Sequence, residues 1–302
     1  MEHKYILKAY MEDTSVCRDL VCARLWGQVV STRSNIPIRL QQSSNYGAVN
    51  GFPVTVWLED EFLGLYTMNL HKDDDLYVMA GRDNEAVMIS NAQTMPESLF
   101  MEQAVFEEDV SDWEIEFSGG DDTWIREHFN ELIRFVINSD DATFRESLSQ
   151  YLDVDAAIDY LLFIWTMGLE NNAAKDLVML TYGDVWIPTV YDMEDGLGLA
   201  CDADGFLPTL GDSPSSATGS LLWDRLLQNF TPELLARYRQ LRDGPLSESS
   251  IANEWNEMWD SIPQKWRDLD LQTWPGRKET SREEVLDYIH NRLSCLDSVL
   301  LN

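Results

Sequence analysis

Two short β-like runs in the middle of the chain constrain its fold more than any other feature. The runs LVML (177–180) and VWIPTVY (185–191) are separated by TYGD, which suits a tight turn, and this pattern predicts a β-hairpin. In a hairpin, the residue before the first strand and the residue after the second lie at the same open end, roughly 5 to 10 Å apart. We therefore expect Asp176 and Asp192 to be neighbours.

Other polar residues cluster at this open end. They are Glu170, Asn171, Asn172 and Lys175 on the first leg, and Glu194 and Asp195 on the second. Carboxylates this close repel one another unless they lie in water or share a cation. Carboxylate and amide oxygens suit Mg²⁺ or Ca²⁺, and Gly196 and Gly198 permit a close backbone approach. The pattern is compatible with a shared cation and with a solvated acidic turn.

The composition indicates a folded, strongly acidic protein. With 302 residues, 44% hydrophobic content and 11 each of Trp, Tyr and Phe, the chain can fill the core of one large domain or two smaller ones. Lys and Arg total 22 against 53 Asp and Glu, a formal net charge of -31. Such a field repels polyanions, so we expect neither nucleic acid nor a membrane as partner. The acid serves solubility or forms an acidic recognition surface.

The sequence contains no segment with the roughly 18 to 20 uninterrupted apolar residues that a membrane span requires. The N-terminus MEHKYILKAY has no basic region followed by an apolar run, so we expect neither a signal peptide nor export. This pattern predicts a cytoplasmic protein. The four cysteines are scattered without metal-site spacing and are expected to be free thiols.

The pattern of elements predicts three regions. Residues 1–85 read as a small α+β part, 86–122 as an acidic hinge or insertion, and 123–302 as a mainly helical part that carries the hairpin region 170–198. Within the first region we expect a strand over 5–10, a helix that is capped by Asp13 or Thr14 and runs to about Val30, and a hairpin of 54–58 with 62–68. The third region shows helical spacing in TWIREHFNELIRFVIN (123–138) and VDAAIDYLLFIWTMGL (154–169).

The order of helix, polar loop, hairpin and Tyr-Asp-x-acid-x-Gly resembles the catalytic loop and metal-binding segment of a kinase-type C-terminal lobe. More closely, the chain resembles the spore coat protein H (CotH) kinase family, which includes versions in bacteriophage structural proteins. The resemblance spans roughly residues 5 to 205. The segments that carry it are ILKAYMEDTSVCRDL (6–20), NYGAVNGFPVTVWLEDEFLGLYTMNLHKDDD (45–75), DYLLF (159–163), NNAAKD (171–176) and WIPTVYDMEDGLG (186–198).

This resemblance implies a fold class and an activity. The expected fold is α+β, an atypical protein-kinase-like two-lobed fold with a small β-rich N-terminal lobe and a larger, mainly helical C-terminal lobe. The expected cofactors are ATP and Mg²⁺, and the expected reaction is phosphotransfer to protein Ser or Thr. The NYGAVNGFP and YDMEDGLG stretches look most like the phage versions, which implies a place in a virion and virion proteins as partners.

The resemblance also assigns metal-binding roles to carboxylates. Asp192 takes the place of the metal-bridging aspartate. Asp176 falls where the family carries a second, Asn-type metal ligand, and an aspartate also binds Mg²⁺. Glu194 replaces the second Asp of the family's Asp-x-Asp, which lengthens that ligand by one methylene.

Basic residues fall at further matched positions. Lys8 lies where a kinase lysine contacts nucleotide phosphates, although an ordinary surface lysine is an equal alternative. Lys175 is expected either to steady the transferring phosphoryl group or to form a structural salt bridge. Arg18 and Lys72 match family positions that serve packing or loop anchoring.

The expected catalytic position is altered. Asn171 stands where the family has its catalytic aspartate, and an amide cannot accept the proton of the acceptor hydroxyl as a carboxylate can. Glu170 is adjacent but would need a shift in register to replace it. Three interpretations remain open: an impaired phosphotransferase, a catalytically inactive kinase-fold structural or interaction protein, and a metal-stabilised binding module without nucleotide.

Overall fold

The structure, a computed structural model, describes residues 4–90 and 113–301. Small antiparallel sheets combine with many helices, which confirms the predicted mixture of α and β structure. The strands are β1 (Tyr5–Lys8), β2 (Gly51–Leu58), β3 (Glu61–Leu70), β4 (Ala86–Ser90), β5 (Trp113–Ser118), β6 (Val178–Thr181) and β7 (Ile187–Thr189). The helices are α1 (Arg18–Ser31), α2 (Ile38–Gln42), α3 (Thr123–Asn138), α4 (Asp141–Ser147), α5 (Val154–Met167), α6 (Leu221–Arg242), α7 (Glu248–Asp260), α8 (Gln264–Thr273) and α9 (Arg282–Leu300).

The first sheet has the strand order β1-β3-β2, with both pairs antiparallel. The predicted hairpin is confirmed, because β2 and β3 pair from Gly51↔Asn69 to Leu58↔Glu61 around an acidic turn. The predicted strand over 5–10 is confirmed for Tyr5–Lys8, and Lys8 is its last residue. This arrangement places Lys8 opposite Thr67, in the middle of the sheet's long strand.

Helix α1 begins later than the sequence predicted. Its first residue is Arg18 and its N-cap position is Cys17, not Asp13 or Thr14, because the intervening residues form a turn around the Asp13 carboxylate. That carboxylate accepts the backbone N–H groups of Cys17 and Arg18 at 3.2 and 3.1 Å and the Arg18 guanidinium at 2.5 Å. Asp13 therefore accepts hydrogen bonds from backbone N–H groups at the start of α1 that have no partner within the helix, although Asp13 lies several residues before the helix.

The second sheet has the order β5-β4-β6-β7 and contains the predicted central hairpin. Strands β6 and β7 pair antiparallel, with Val178 opposite Thr189, which confirms the hairpin. Strands β4 and β5 lie within the segment 86–122 and pair with each other, and β4 also pairs with β6. The rest of that segment lies largely outside the described residues, and the division into three regions stays a prediction.

Helix α5 forms the centre of the helical part. Asp153 caps its start by accepting the N–H of Ala156 at 2.9 Å, and the helix ends at Gly168, whose φ of 69° is left-handed and favours glycine. Every residue from Ala156 to Met167 is buried. The core around α5 includes apolar residues of α1, α3, α6, α7 and α9, so the helix that follows Lys8 packs into the same core as the helices of the tail.

The tail, which the sequence left unplaced after residue 207, supports the first sheet. The Asp270 carboxylate of α8 accepts the backbone N–H of Leu65 at 2.7 Å, and the Trp274 indole donates to the Leu63 carbonyl at 2.8 Å. Helix α8 thereby satisfies the edge of β3 that β1 leaves unpaired. No helix within the described ranges 4–90 and 113–301 has the length and apolar character needed to cross a membrane.

A buried ionic network joins three helices of the core. The Asp159 carboxylate on α5 is fully buried and accepts the Arg33 guanidinium at 2.6 Å and the Arg237 guanidinium at 2.7 and 3.0 Å. Arg33 follows α1, and Arg237 lies on α6. Burying a charged side chain is costly unless the charge is paired and hydrogen-bonded, as the Asp159 carboxylate is here.

We predict that Asp159→Asn lowers the free energy of unfolding by about 3 kcal/mol, because it leaves the buried Arg33 and the half-buried Arg237 without their counter-charge. Glu127→Gln is the matched control, since it makes the same chemical change in an exposed pair with Arg134. The control should leave stability close to that of the parent. Chemical denaturation of the three proteins measures this, and equal stabilities would contradict the buried network.

Candidate active site

Lys8 connects the first sheet to the open end of the central hairpin. Its Nζ lies 2.5 Å from Oδ1 of Asp192 and 3.8 Å from Oδ2 of Asp19, and its side chain is 16% exposed. Burial alone would lower the pKa of Lys8, but the charges of Asp19 and Asp192 outweigh it and hold the pKa above its ordinary value. Lys8 is therefore a permanent cation at the hairpin end.

Asp19 is a site residue that the sequence reasoning missed. Its buried carboxylate accepts the backbone N–H of Met193 at 3.0 Å, the Tyr10 hydroxyl at 2.5 Å and the Asn69 amide at 3.3 Å. In kinases, the phosphate-binding lysine pairs with an acid on the helix that follows it, and Asp19 lies in the first turn of α1. An acid in the first turn after the Lys8 strand was the available signal.

Asp176 and Asp192 flank the two strands of the hairpin at its open end. Both adopt positive φ, 59° and 49°, a conformation that aspartate tolerates better than most residues. Burial raises the pKa of Asp176 to about 6; Lys175 opposes the shift and the charge of Asp192 adds to it. The charge of Asp192 therefore acts on Asp176 at the open end of the hairpin, and the metal-binding roles of both residues stay predictions.

Glu194 lies close to the same charges. Burial raises its pKa to about 7, and the charges of Asp192 and Asp195 add to the rise. Across residues 4–90 and 113–301, no three His, Cys, Asp or Glu side chains are grouped so that they could hold a metal ion. Asp176, Asp192 and Glu194 therefore do not form a three-carboxylate metal group in the described part of the chain, and their metal-binding roles stay predictions.

The predicted catalytic loop forms a 3₁₀ turn over Asn171–Ala173. Asn171 donates its amide to the carboxylate of Asp195, and Asn172 donates its amide to the Tyr191 carbonyl at 2.8 Å. These two bonds join the first leg of the site to the second. Glu170 is exposed immediately before the turn.

Lys175 lies beside the metal-type carboxylates. Its Nζ is 3.4 Å from Oδ2 of Asp176, and its side chain is 37% exposed. Burial lowers the pKa of Lys175, but the charge and hydrogen bond of Asp176 outweigh burial. The pKa of Lys175 is therefore above its ordinary value. The salt-bridge alternative is thus present in the structure, and the exposed ammonium keeps room for a second anionic partner.

Gly196 and Gly198 approach the protein core closely. A Cβ on Gly198, whose φ is 84°, would lie 2.7 Å from the Tyr288 ring of α9, and a Cβ on Gly196 would lie 3.0 Å from Leu169. The Leu197 N–H also donates to the Met167 carbonyl at 2.8 Å. The glycines therefore fix the segment after Asp192 against α5 and α9, a role the sequence reasoning did not foresee.

The comparison with known families agrees with this geometry. A family model described as CotH kinase protein matches residues 2–296. The chain belongs to the CotH kinase family. This match extends the CotH resemblance from roughly residues 5–205 to nearly the whole chain, so the helices of the tail are part of the CotH unit. A search of curated proteins finds no match.

We predict that Gly198→Ala destabilises this CotH protein by about 2 kcal/mol more than Gly211→Ala, because a methyl group at 198 would overpack against Tyr288. Gly211 is a matched control, since its φ is 120° and nothing lies within 4 Å of the added Cβ. Both changes therefore carry backbone strain, and only one carries the clash. Thermal denaturation of both variants tests this, and equal losses would refute the packing role.

Proposed function

We propose that this CotH protein binds Mg²⁺-ATP at the open end of the central hairpin and transfers the γ-phosphoryl group to a protein Ser or Thr, at a rate that Asn171 limits. The family supplies the kinase-like fold. The site contains a lysine on a strand, an acid on the following helix and two aspartates at the hairpin end, which are the parts that phosphoryl transfer uses.

The observation that carries this proposal is that several lysines lie together among the carboxylates at the open end of the central hairpin. The chain has six lysines and a net charge of -31. Three of the six, Lys8, Lys72 and Lys175, lie around Tyr191 or Asp176. A solvated acidic turn does not need this arrangement, whereas a polyphosphate accompanied by a divalent cation requires both signs of charge in one place.

The residues present fit such a ligand. Burial and the charge of Asp192 raise the pKa of Asp176, and a divalent cation would favour its ionised form. Mg²⁺, when bound, neutralises phosphate charge. Lys8 would bind the phosphates from the side of the first sheet, and Lys175 would bind them from the loop. Asp19 would hold Lys8 in place, because its carboxylate is fixed by three hydrogen bonds.

The position expected to activate the acceptor hydroxyl lacks a carboxylate. In transfer, the acceptor oxygen forms a bond to the γ-phosphorus, the bond between that phosphorus and the β-γ bridging oxygen breaks so that ADP leaves, and the hydroxyl proton passes to solvent water. Asn171 cannot take that proton, and its amide donates to Asp195. We therefore infer slow transfer from ATP, with nucleotide binding retained.

The same residue favours a second candidate function. If Asn171 abolishes transfer, the chain is a catalytically inactive kinase-fold protein that serves as a structural or interaction component. The phage-like stretches NYGAVNGFP and YDMEDGLG support virion proteins as its partners and the virion as its location, with the cytoplasm as the location otherwise.

We predict that Mg²⁺-ATP at 100 times its dissociation constant raises the free energy of unfolding by about 2.7 kcal/mol. Lys8→Met should abolish this gain, because it removes the phosphate-binding cation. Lys265→Met is the control: it removes the same charge from a lysine that lies over the Trp266 ring, 4.4 Å from its centre, and it should keep the gain. The absence of stabilisation in the parent protein would refute nucleotide binding.

We predict that exchanging the two side chains, in the double variant Asn171→Asp with Asp195→Asn, raises the rate of phosphoryl transfer about 100-fold. The exchange preserves net charge and the amide–carboxylate hydrogen bond, and it moves the carboxylate to the expected catalytic position. Radiolabel transfer from ATP to casein and to the protein itself measures the rate.

Asn138→Asp is the control for this exchange, because Asn138 lies at the exposed end of α3. This substitution should leave the rate unchanged. If the exchanged protein binds Mg²⁺-ATP as tightly as the parent and still transfers no faster, position 171 does not limit the reaction.

A further inference from the structure

Lys72 lies between the two sheets at the edge of the proposed site. It follows β3, and its Nζ is 2.7 Å from the Glu116 carboxylate of β5. The side chain is only 14% exposed. A lysine held so firmly would ordinarily be an anchor between sheets, which is the role its sequence position implied.

A second contact of Lys72 points to the site itself. Its Nζ lies 4.9 Å from the centre of the Tyr191 ring, and Nζ of Lys8 lies 4.7 Å from the centre of the same ring. Tyr191 immediately precedes Asp192, and its carbonyl is fixed by the Asn172 amide. Both ammonium groups therefore approach one aromatic platform at the hairpin end, favoured by the ring's negative face.

The charges around this ring are arranged in pairs. Asp192 neutralises Lys8, and Glu116 neutralises Lys72. Two ammonium groups near one ring repel each other unless anions lie beside them. A polyphosphate brings several negative charges to the same place, and the flexible four-carbon stem of lysine lets its ammonium exchange one anion for another.

We propose that Lys72 is a second phosphate-binding lysine, which Glu116 holds until a nucleotide enters and which then contacts the terminal phosphates. The role rests on the proposed function, because it concerns the same ligand. With Lys8 and Lys72 on either side of the phosphate chain, the site selects nucleoside triphosphates over monophosphates. Glu116 competes with the ligand for Lys72, so it weakens binding while it keeps Lys72 in position.

Two substitutions distinguish this role from an anchoring role by the direction in which each changes the affinity for Mg²⁺-ATP. Lys72→Met should weaken Mg²⁺-ATP binding about 10-fold or more and leave AMP binding within about 2-fold. Glu116→Gln should leave Mg²⁺-ATP binding unchanged or tighter, because it removes the competitor. A simple anchor predicts that both substitutions loosen the same contact and that neither changes the ratio of ATP to AMP affinity.

The experiment is isothermal titration of the full chain and its variants with Mg²⁺-ATP, AMP and inorganic tripolyphosphate. Lys4→Met is the matched control, because Lys4 forms an exposed pair with Asp73 and its loss makes the same change in net charge. Weaker Mg²⁺-ATP binding by Lys72→Met, with no weakening by Glu116→Gln and with Lys4→Met close to the parent, supports the role.

If the parent binds Mg²⁺-ATP and Lys72→Met binds it no more weakly than Lys4→Met, the role of Lys72 is overturned and the proposed function stands. If the parent binds neither Mg²⁺-ATP nor tripolyphosphate, the proposed function is overturned, and the role of Lys72 is overturned with it.

Discussion

The ion pair between Lys8 and Asp192 is the interaction on which the rest of the site depends. It joins residues 184 positions apart in the chain and connects the end of β1 to the end of the central hairpin. Asp19 reinforces it from α1 by holding Met193 and Tyr10 at the same time. Because α1 packs into the core around α5, the position of Lys8 is set by the core as well as by its own sheet.

The charge distribution explains why such an interaction is informative in this molecule. A chain with a net charge of -31 gains solubility from scattered acids and has no general need to gather its few lysines. Removing a lysine ammonium from water to pair it with a buried or half-buried carboxylate costs free energy. The attraction between the two charges offsets that cost only where the pair is close and its other polar atoms are hydrogen-bonded. The hairpin end meets that condition for Lys8, and it leaves Lys175 with an exposed ammonium that can engage a further anion.

Local patterns in the sequence were sufficient to predict the regular elements around the site. Alternation and turn residues predicted the β2–β3 and β6–β7 hairpins, and apolar spacing predicted α3 and α5, because these signals act over a few residues. Asp19 was missed because its role arises largely from contacts with Asn69 and Met193, which lie 50 and 174 positions away. The packing of Gly198 against Tyr288 was missed for the same reason, since α9 could not be placed from its periodicity alone.

The most direct test of the account is a crystal structure of the protein with Mg²⁺ and a non-hydrolysable ATP analogue. Phosphate density should contact Lys8, and a cation should be held by Asp176 and Asp192, with the acceptor side of the γ-phosphate facing Asn171. A nucleotide bound elsewhere on the molecule, or the Lys8–Asp192 pair unchanged beside an empty hairpin end at saturating analogue, would contradict it.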